Sequence, residues 1–126
     1  MTRGLKNKAG DTWTTARYFS FIRSGLRRMW TRYPVKFQVM NKASRPYKGE
    51  DKRRKKEYLC NVCKGWFAGK EVAVDHIQPC GSLKSYEDLP RFVSTLFCEE
   101  NNLQVICTAC HSIKTQKERK DARNTD

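Results

Sequence analysis

Apolar side chains recur at helical spacing in the first third of the chain. Between Thr15 and Arg32, intervals of three and four residues predict one amphipathic helix with an apolar stripe. The stripe consists of Phe19, Ile22, Leu26, Met29 and Trp30. The charged residues on the other faces are all arginines, at Arg17, Arg23, Arg27, Arg28 and Arg32. We therefore expect the stripe to lie in a core and the arginines to be available for contacts with phosphate groups.

The expected ends of this helix follow from its flanking residues. Residues 1–12 contain lysine, arginine and glycine and predict a mobile basic arm. Asp11 or Thr12 is the expected N-terminal cap, because both are residue types whose side chains accept hydrogen bonds from a helix N-terminus. Pro34 should end the helix, since its ring disfavours helical geometry at Tyr33.

Short apolar segments in the remainder of the chain predict a mixture of helices and strands. In chain order, the predicted elements are a short helix (residues 35–43), a loop (44–50), an aromatic hairpin arm (66–67), a strand (72–77), a helix that starts near Asp88 and Pro90, a strand (103–106) and a final helix (108–120). This pattern is typical of a small α+β domain.

Length and composition indicate one globular domain with at most an arm attached. The chain has 126 residues, of which 38% are hydrophobic and 31% are charged. No apolar run approaches the roughly 18 residues that predict a membrane-spanning helix. The N-terminal residues lack the apolar stretch of a signal peptide, so the predicted location is the cytoplasm.

The net positive charge of the protein comes from the first half of the chain. Residues 1–58 contain 17 Lys/Arg and 4 Asp/Glu, which leaves +13, whereas residues 59–126 contain 9 of each and are neutral. A solubilising basic segment would have the same charge. Beside the motifs below, the charge favours a nucleic-acid binder, because cationic side chains that contact phosphates release counterions.

Four of the six cysteines form two Cys-x-x-Cys pairs, Cys60 with Cys63 and Cys107 with Cys110. Zinc prefers four soft donors in a tetrahedron, and two such pairs can supply them from distant chain segments. In a protein that is not secreted, this spacing favours metal ligands over disulfides. The remaining cysteines, Cys80 and Cys98, are expected to be buried thiols, and a bond between them is an open alternative.

A second set of residues has the composition of a hydrolytic metal site. Asp75 and His76 are adjacent on a predicted strand, so their side chains point to opposite sides and serve different purposes. His111 follows directly after Cys110, which fixes its position relative to the zinc site. A carboxylate and an imidazole can bind a hard divalent ion, and a histidine near neutrality can accept a proton from water.

The segments Asp75-His76-Ile77, Asn102-Leu103-Gln104 and Cys107-x-x-Cys110-His111-x-x-Lys114-Thr115 resemble the HNH endonuclease family in its zinc-supported form. The resemblance covers residues 58–118, roughly half of the chain. It implies an α+β fold in which a small ββα-metal finger is held together by a four-cysteine zinc site and carries a basic helical N-terminal extension. The implied division is an extension at 1–57, a nuclease domain at 58–120 and a frayed tail at 121–126.

The resemblance also implies a divalent-metal-dependent DNA endonuclease. His76 would be the general base, and Asp75 and His111 would bind a catalytic Mg²⁺, Mn²⁺, Ni²⁺ or Zn²⁺ ion beside the structural zinc. Asn102 would be the middle asparagine of the motif. In the family that residue orients the catalytic loop or adds to the metal shell, and both roles are open here.

The predicted partner is DNA, with double-stranded DNA preferred and RNA left open. Its expected contacts are Arg23, Arg27, Arg28, Lys52, Arg53, Arg54, Lys55, Lys56 and Lys114. An ordinary surface lysine is an equal alternative for Lys114. Similar small proteins are encoded by phages, which implies the host cytoplasm, a monomer or weak dimer, and a packaging or replication component as a further partner.

Two other classes of protein fit the sequence less well. A non-catalytic zinc module that binds nucleic acid would have the cysteines and the charge, but it has no need of Asp75, His76 and His111 together. A zinc ribbon that binds only other proteins would not need the positive charge. The first of these is the main alternative to the endonuclease.

Overall fold

The computed structural model describes residues 4–124, apart from the side chains of residues 122 and 124. Its helices are α1 (Thr15–Trp30), α2 (Pro34–Lys42), α3 (Leu89–Leu96) and α4 (Thr108–Asn124). Its strands are β1 (Ser44–Pro46), β2 (Lys56–Leu59), β3 (Trp66–Phe67), β4 (Val72–His76) and β5 (Leu103–Cys107). Four helices and five strands in this part of the chain confirm the predicted mixture of helix and sheet.

The central sheet consists of β4 and β5, which pair antiparallel. In their register Asp75 lies opposite Gln104, and His76 lies opposite Leu103. The segment between the two strands includes α3. A second, three-stranded sheet has the order β1-β2-β3, with both pairs antiparallel. The main chain of Asn61 joins the two sheets, because its N–H donates to the carbonyl oxygen of Val105 at 2.8 Å.

Helix α1 contributes to a core that it shares with α3. Phe19 of α1 is buried together with Phe92 and Leu96 of α3 and with two residues of the intervening loop, Cys80 and Leu83. Of the predicted apolar stripe of α1, Phe19 lies in this core and Ile22, Leu26 and Trp30 lie at its edge. Met29 is 61% exposed, so the prediction was wrong for that residue. Cys80 and Leu83 thus anchor the loop after β4 in this core, whereas most of its other residues are exposed.

The cap of α1 differs from the prediction. Thr14 is the N-terminal cap, and its hydroxyl accepts a hydrogen bond from the main-chain N–H of Arg17 at 3.2 Å. The choice of Asp11 or Thr12 was wrong because these residues lie in a tight turn, in which Ala9, Gly10 and Asp11 all have positive φ angles. That turn is closed by bridge pairing between Lys8 and Trp13.

Helix α2 covers one face of the central sheet. Pro34 is its first residue, which suits a ring that fixes φ and lacks an N–H. Val35 is buried against Val74 of β4 and against Leu103 and Val105 of β5. The first half of the chain thus supplies parts of two cores, and the predicted domain division at residue 57 stays a prediction.

Three further boundaries can be compared with the sequence. The predicted loop at 44–50 contains β1, which pairs with β2 across the basic segment. The helix expected near Asp88 and Pro90 is confirmed, since α3 begins at Leu89 with Asp88 as its cap residue. Helix α4 extends beyond the predicted end at residue 120, and residues 1–3 and 125–126 lie outside the described residues. No helix in the described range has the length and apolar character required to cross a membrane.

Candidate metal centre and active site

The four predicted cysteines meet at one point between the two sheets. The sulfur atoms of Cys60, Cys63, Cys107 and Cys110 all lie within 4.8 Å of one another. The first pair belongs to the turn after β2, whereas the second lies at the junction of β5 and α4. More than forty residues separate the two pairs, so only the folded chain brings their sulfur atoms together.

The local turn at the first pair explains its sequence. The main-chain N–H of Cys60 donates to Gly65 at 2.9 Å, and Lys64 in turn donates to Cys60 at 3.0 Å while adopting a φ of +62°. At Gly65 a Cβ atom would lie 2.9 Å from the ring of Phe67 and 3.5 Å from the sulfur of Cys63. Glycine therefore provides the space that the ring of Phe67 requires at this position.

The arrangement fits a tetrahedral zinc ion. Sulfur atoms that each lie about 2.3 Å from one zinc ion are about 3.8 Å apart, and the sulfur atoms of Cys63 and Cys107 are separated by 3.9 Å. Burial acts to raise the pKa of Cys60, but main-chain N–H groups, chiefly those of Cys63 and Cys107, outweigh it and lower this pKa to about 6. Sharing of its thiol proton with Cys107 raises the pKa of Cys110 to about 12. A cation would offset the repulsion among the thiolates, so these residues could hold a structural metal ion.

An open cleft of about 700 Å³ lies beside this centre, and we call it the Asp75 cleft. The residues with catalytic potential on its walls are Asp75, His76 and His111. The cationic residues on its walls are Arg23 and Arg27 from α1 and Lys114 and Arg119 from α4. The predicted reactive residues and part of the predicted basic surface therefore face the same volume.

The carboxylate of Asp75 is held from several directions. Its Oδ2 accepts a hydrogen bond from Nε2 of Gln104 at 3.0 Å and lies 3.3 Å from Nζ of Lys114. Its Oδ1 lies 3.7 Å from Nε2 of His111. The side chain of Asp75 is 12% exposed and that of His111 is 47% exposed. One carboxylate oxygen is thus occupied by donors, while the other faces an accessible imidazole.

His76 is buried, and its surroundings determine its protonation. Its Nε2 lies 2.9 Å from the carbonyl oxygen of Leu96, and its ring packs against Trp30 with centroids 4.7 Å apart. A carbonyl only accepts, so Nε2 carries the proton and Nδ1 keeps its lone pair. Burial, which outweighs the contact with Leu96, lowers the pKa of His76 below its ordinary value. At pH 7 the ring is therefore neutral.

Lys114 is tied to the cleft rather than extended into solvent. Besides Asp75, its ammonium group contacts Glu118 one turn along α4 and donates to the main-chain carbonyl of His76 at 3.1 Å. Burial acts to lower the pKa of Lys114, but the two carboxylates outweigh it and raise this pKa. Its charge is thus partly neutralised by acidic neighbours.

Asn102 lies next to the loop that leaves β4. Its Oδ1 accepts from the main-chain N–H of Gln78 at 2.8 Å, and its Nδ2 donates to the carbonyl of the same residue at 3.3 Å. Its own carbonyl accepts from Ile77 at 2.8 Å. These contacts tie Asn102 to the loop that follows β4, and Asn102 is not among the residues that line the Asp75 cleft.

The basic segment at 52–56 lies apart from the cleft. Arg53, Arg54, Lys55 and Lys56 border a separate hollow of about 570 Å³ together with Lys70. Arg54 is drawn inward, since its guanidinium lies over the ring of Tyr47 and 3.7 Å from the carboxylate of Glu57. Arg28 does not line the Asp75 cleft either.

Several functional candidates were missed in the sequence. Gln104 contacts Asp75, and Glu118 and Arg119 lie on the cleft wall. Glu118 and Arg119 follow His111 by two turns of helix, so helical spacing could have indicated them. Gln104 was recognisable only from the register of β4 and β5, which the sequence does not specify.

No protein-family model, curated protein or solved structure matches this chain. Its function is therefore inferred from its side chains and their arrangement.

Proposed function

We propose that this protein is a divalent-metal-dependent DNA endonuclease of the HNH type, in which β4, β5 and α4 form the ββα-metal finger. One observation carries the proposal. A carboxylate, a neutral histidine with a free lone pair, a second imidazole and two arginines all line one cleft, beside a four-cysteine cluster at the junction of β5 and α4. A module that only binds nucleic acid has no use for this combination.

The proposed catalytic ion would be bound by Asp75 and His111. Two donor atoms that each lie about 2.1 Å from one ion are at most about 4.2 Å apart. The 3.7 Å between Oδ1 of Asp75 and Nε2 of His111 satisfies that limit. Two protein donors leave further coordination positions for water and for phosphate oxygens. When bound, such an ion would stabilise the negative charge that develops on the phosphate and on the leaving oxygen.

His76 would act as the general base. With Nε2–H donated to the carbonyl of Leu96, its ring orientation is fixed and Nδ1 is the atom that accepts a proton from the attacking water. Its lowered pKa keeps that atom unprotonated at neutral pH. The packing of the Trp30 ring against His76 further restricts rotation of the imidazole ring.

The arginines of α1 would hold the substrate backbone. Arg23 and Arg27 are four residues apart, so they lie on the same side of the helix, and both face the cleft. A guanidinium group binds phosphate oxygens in a bidentate manner. Two of the five arginines predicted to be available to phosphate, Arg23 and Arg27, would thereby form part of the wall of the proposed active site.

The proposal is tested by incubating the purified protein with supercoiled plasmid. We expect conversion to nicked or linear DNA with added Mg²⁺, Mn²⁺, Ni²⁺ or Zn²⁺, and none after treatment with a chelator that leaves the cysteine site loaded. Asp75→Asn should lose the metal-dependent activity. Cleavage that persists with chelator or with Asp75→Asn would contradict a divalent ion at this position.

A zinc-containing module that binds nucleic acid without cutting it is the second candidate. It is favoured by one observation: within residues 4–124, the four cysteines are the only group of three or more potential metal ligands. A plasmid that is shifted in a gel but never cut, under all four metals, would favour this alternative over the endonuclease.

Neutralising the α1 arginines should weaken DNA binding in a salt-dependent manner. We expect Arg23→Gln and Arg27→Gln together to reduce the slope of log K against log salt concentration by about 2, since each lost phosphate contact reduces it by about 0.9. Fluorescence anisotropy with a labelled duplex measures the slope. The matched control combines Arg32→Gln with Arg123→Gln, which also removes two arginine charges at residues that do not line the cleft. Equal slopes for the double variant and the wild type would exclude Arg23 and Arg27 as phosphate contacts.

A further inference from the structure

Gln104 is one of two buried polar side chains in the described part of the chain, and His76 is the other. Only 8% of Gln104 is exposed, although an amide needs hydrogen-bond partners at both of its ends. It lies on β5 directly opposite Asp75. An apolar residue would suit a strand position with this burial, so the amide requires another explanation.

Both ends of the Gln104 amide have a partner. Its Nε2 donates to Oδ2 of Asp75 at 3.0 Å, and its Oε1 accepts from Nδ2 of Asn61 at 2.8 Å. A carboxylate accepts and does not donate, so the NH₂ group must face Asp75 and the carbonyl must face Asn61. The orientation of the amide is therefore determined by its two neighbours.

The far end of this chain of hydrogen bonds is the four-cysteine site. Asn61 lies between Cys60 and Cys63, in the turn that supplies half of the site. Its main-chain N–H donates to Val105 at 2.8 Å, and its Oδ1 accepts from Nζ of Lys64 at 3.1 Å. Asn61 is thus held by contacts that depend on the turn around the cysteines.

We propose that Asn61 and Gln104 are positioning residues that transmit the geometry of the four-cysteine site to Asp75. The inference rests on the proposed function, because it assigns these residues to the binding of the catalytic ion. Gln104 occupies Oδ2 of Asp75 and so directs Oδ1 towards His111, the orientation in which both atoms can bind one cation. The structural metal site then controls ion affinity as well as folding.

Gln104 also limits the competition between Lys114 and a bound metal ion for the carboxylate of Asp75. The ammonium group of Lys114 lies 3.3 Å from the same oxygen, Oδ2, that accepts from Gln104. Without the amide, the carboxylate is free to rotate and bring both oxygens to the ammonium group. The loss of a hydrogen bond to a metal-binding side chain typically weakens metal binding about 10- to 100-fold.

The test measures Mn²⁺ affinity by electron paramagnetic resonance on protein whose cysteine site is loaded with zinc. Gln104→Met keeps the volume and removes the hydrogen bonds, and we expect the Kd for Mn²⁺ to rise about 10- to 100-fold. Asn61→Ala should raise it in the same direction, since the side chain of Gln104 is then held at one end only. Combining the two should add little to Gln104→Met, because both act through one chain of contacts.

Controls separate this inference from a general loss of structure. With Co²⁺ in place of zinc, the thiolate absorption bands should be the same in the wild type and both variants. Gln38→Met, an exposed glutamine on α2, should leave the Kd for Mn²⁺ unchanged. If Gln104→Met does not fold, the exposed position of Asn61 still allows the measurement with Asn61→Ala.

The outcomes distinguish this inference from the proposed function. Mn²⁺ binding that depends on Asp75 and weakens in both variants supports the inference, even if the wild type never cuts DNA. A Kd within about twofold of the wild type in Asn61→Ala, and in Gln104→Met where it folds, would overturn it. The absence of Mn²⁺ binding that is sensitive to Asp75→Asn would also overturn it.

Discussion

His76→Ala is expected to reduce the rate of metal-dependent plasmid nicking by about 10²- to 10⁴-fold, the usual contribution of a general base. The reason is that His76 lines the cleft and its Nε2 is held by the carbonyl of Leu96, so Nδ1 is the nitrogen of this ring that remains to accept a proton. The measurement is the single-turnover rate of nicking at saturating protein and metal, which isolates the chemical step from substrate binding.

The control for this variant is His111→Ala, which removes the other histidine of the cleft. If the roles are as proposed, His111→Ala should weaken Mn²⁺ binding and respond to higher metal concentration, whereas His76→Ala should bind Mn²⁺ normally and not respond. Far-UV circular dichroism and duplex binding should be retained in both. Exogenous imidazole should restore part of the activity of His76→Ala, because the substitution leaves a cavity of the shape of the lost ring.

Two results would remove His76 from the role of base. One is a nicking rate within about threefold of the wild type. The other is a Kd for Mn²⁺ that rises as much in His76→Ala as in His111→Ala, since His76 would then act through the metal. Because the ring packs against Trp30, thermal denaturation must accompany these measurements to show that the variant is folded under the assay conditions.

The sequence predicts the parts of this fold whose chemistry is local. The helical period of Phe19, Ile22 and Leu26 indicates α1 because each apolar residue repeats at the spacing of one face. The four cysteines can be assigned to one site because two Cys-x-x-Cys pairs are the spacing at which thiolates bind one zinc ion. Their convergence within 4.8 Å confirms that prediction.

The contacts that complete the candidate site depend on distant segments and could not be read from local patterns. The register that places Gln104 opposite Asp75 is established across a segment of more than 25 residues. The position of Arg23 and Arg27 on the cleft follows from the packing of Phe19 against α3, which is still more remote in sequence. Helical periodicity identifies which residues share a face, but it does not identify what that face meets.

The missed cap of α1 has a different cause. Asp11, Thr12 and Thr14 are all residues that can cap a helix, and residue preference alone does not distinguish them. Asp11 and Thr12 lie in the turn around Gly10, which is closed by the bridge between Lys8 and Trp13. Thr14 is therefore the residue at the helix start. The backbone geometry of the preceding turn determines which residue caps α1, and single-residue preferences do not describe that geometry.

Cys107→Ser is expected to abolish cooperative unfolding of the protein, or to lower its melting temperature by at least about 15 °C. Cys107 is buried with Cys60 and Ile106 in a core cluster that has few other members. Zinc binding to four thiolates contributes about 10–16 kcal/mol in small domains, which equals or exceeds the usual net stability of about 5–15 kcal/mol. Without one ligand the turn at residues 60–63 is no longer fixed to the start of α4.

The measurement is thermal denaturation followed by circular dichroism, with and without a zinc chelator. The matched control is Cys98→Ser, which makes the same chemical change at a free, partly buried cysteine outside the site. We expect Cys98→Ser to melt within a few degrees of the wild type and to lose its stability with chelator, as the wild type should. Cys107→Ser should already resemble the chelated protein, and added chelator should change its melting temperature little.

If Cys107→Ser instead melts at the same temperature as the wild type, the four cysteines contribute no folding energy. The packing of α4 alone would then have to fix the position of His111. The orientation of Asp75, which we attribute to Asn61 and Gln104, would likewise have to be fixed without the four-cysteine site.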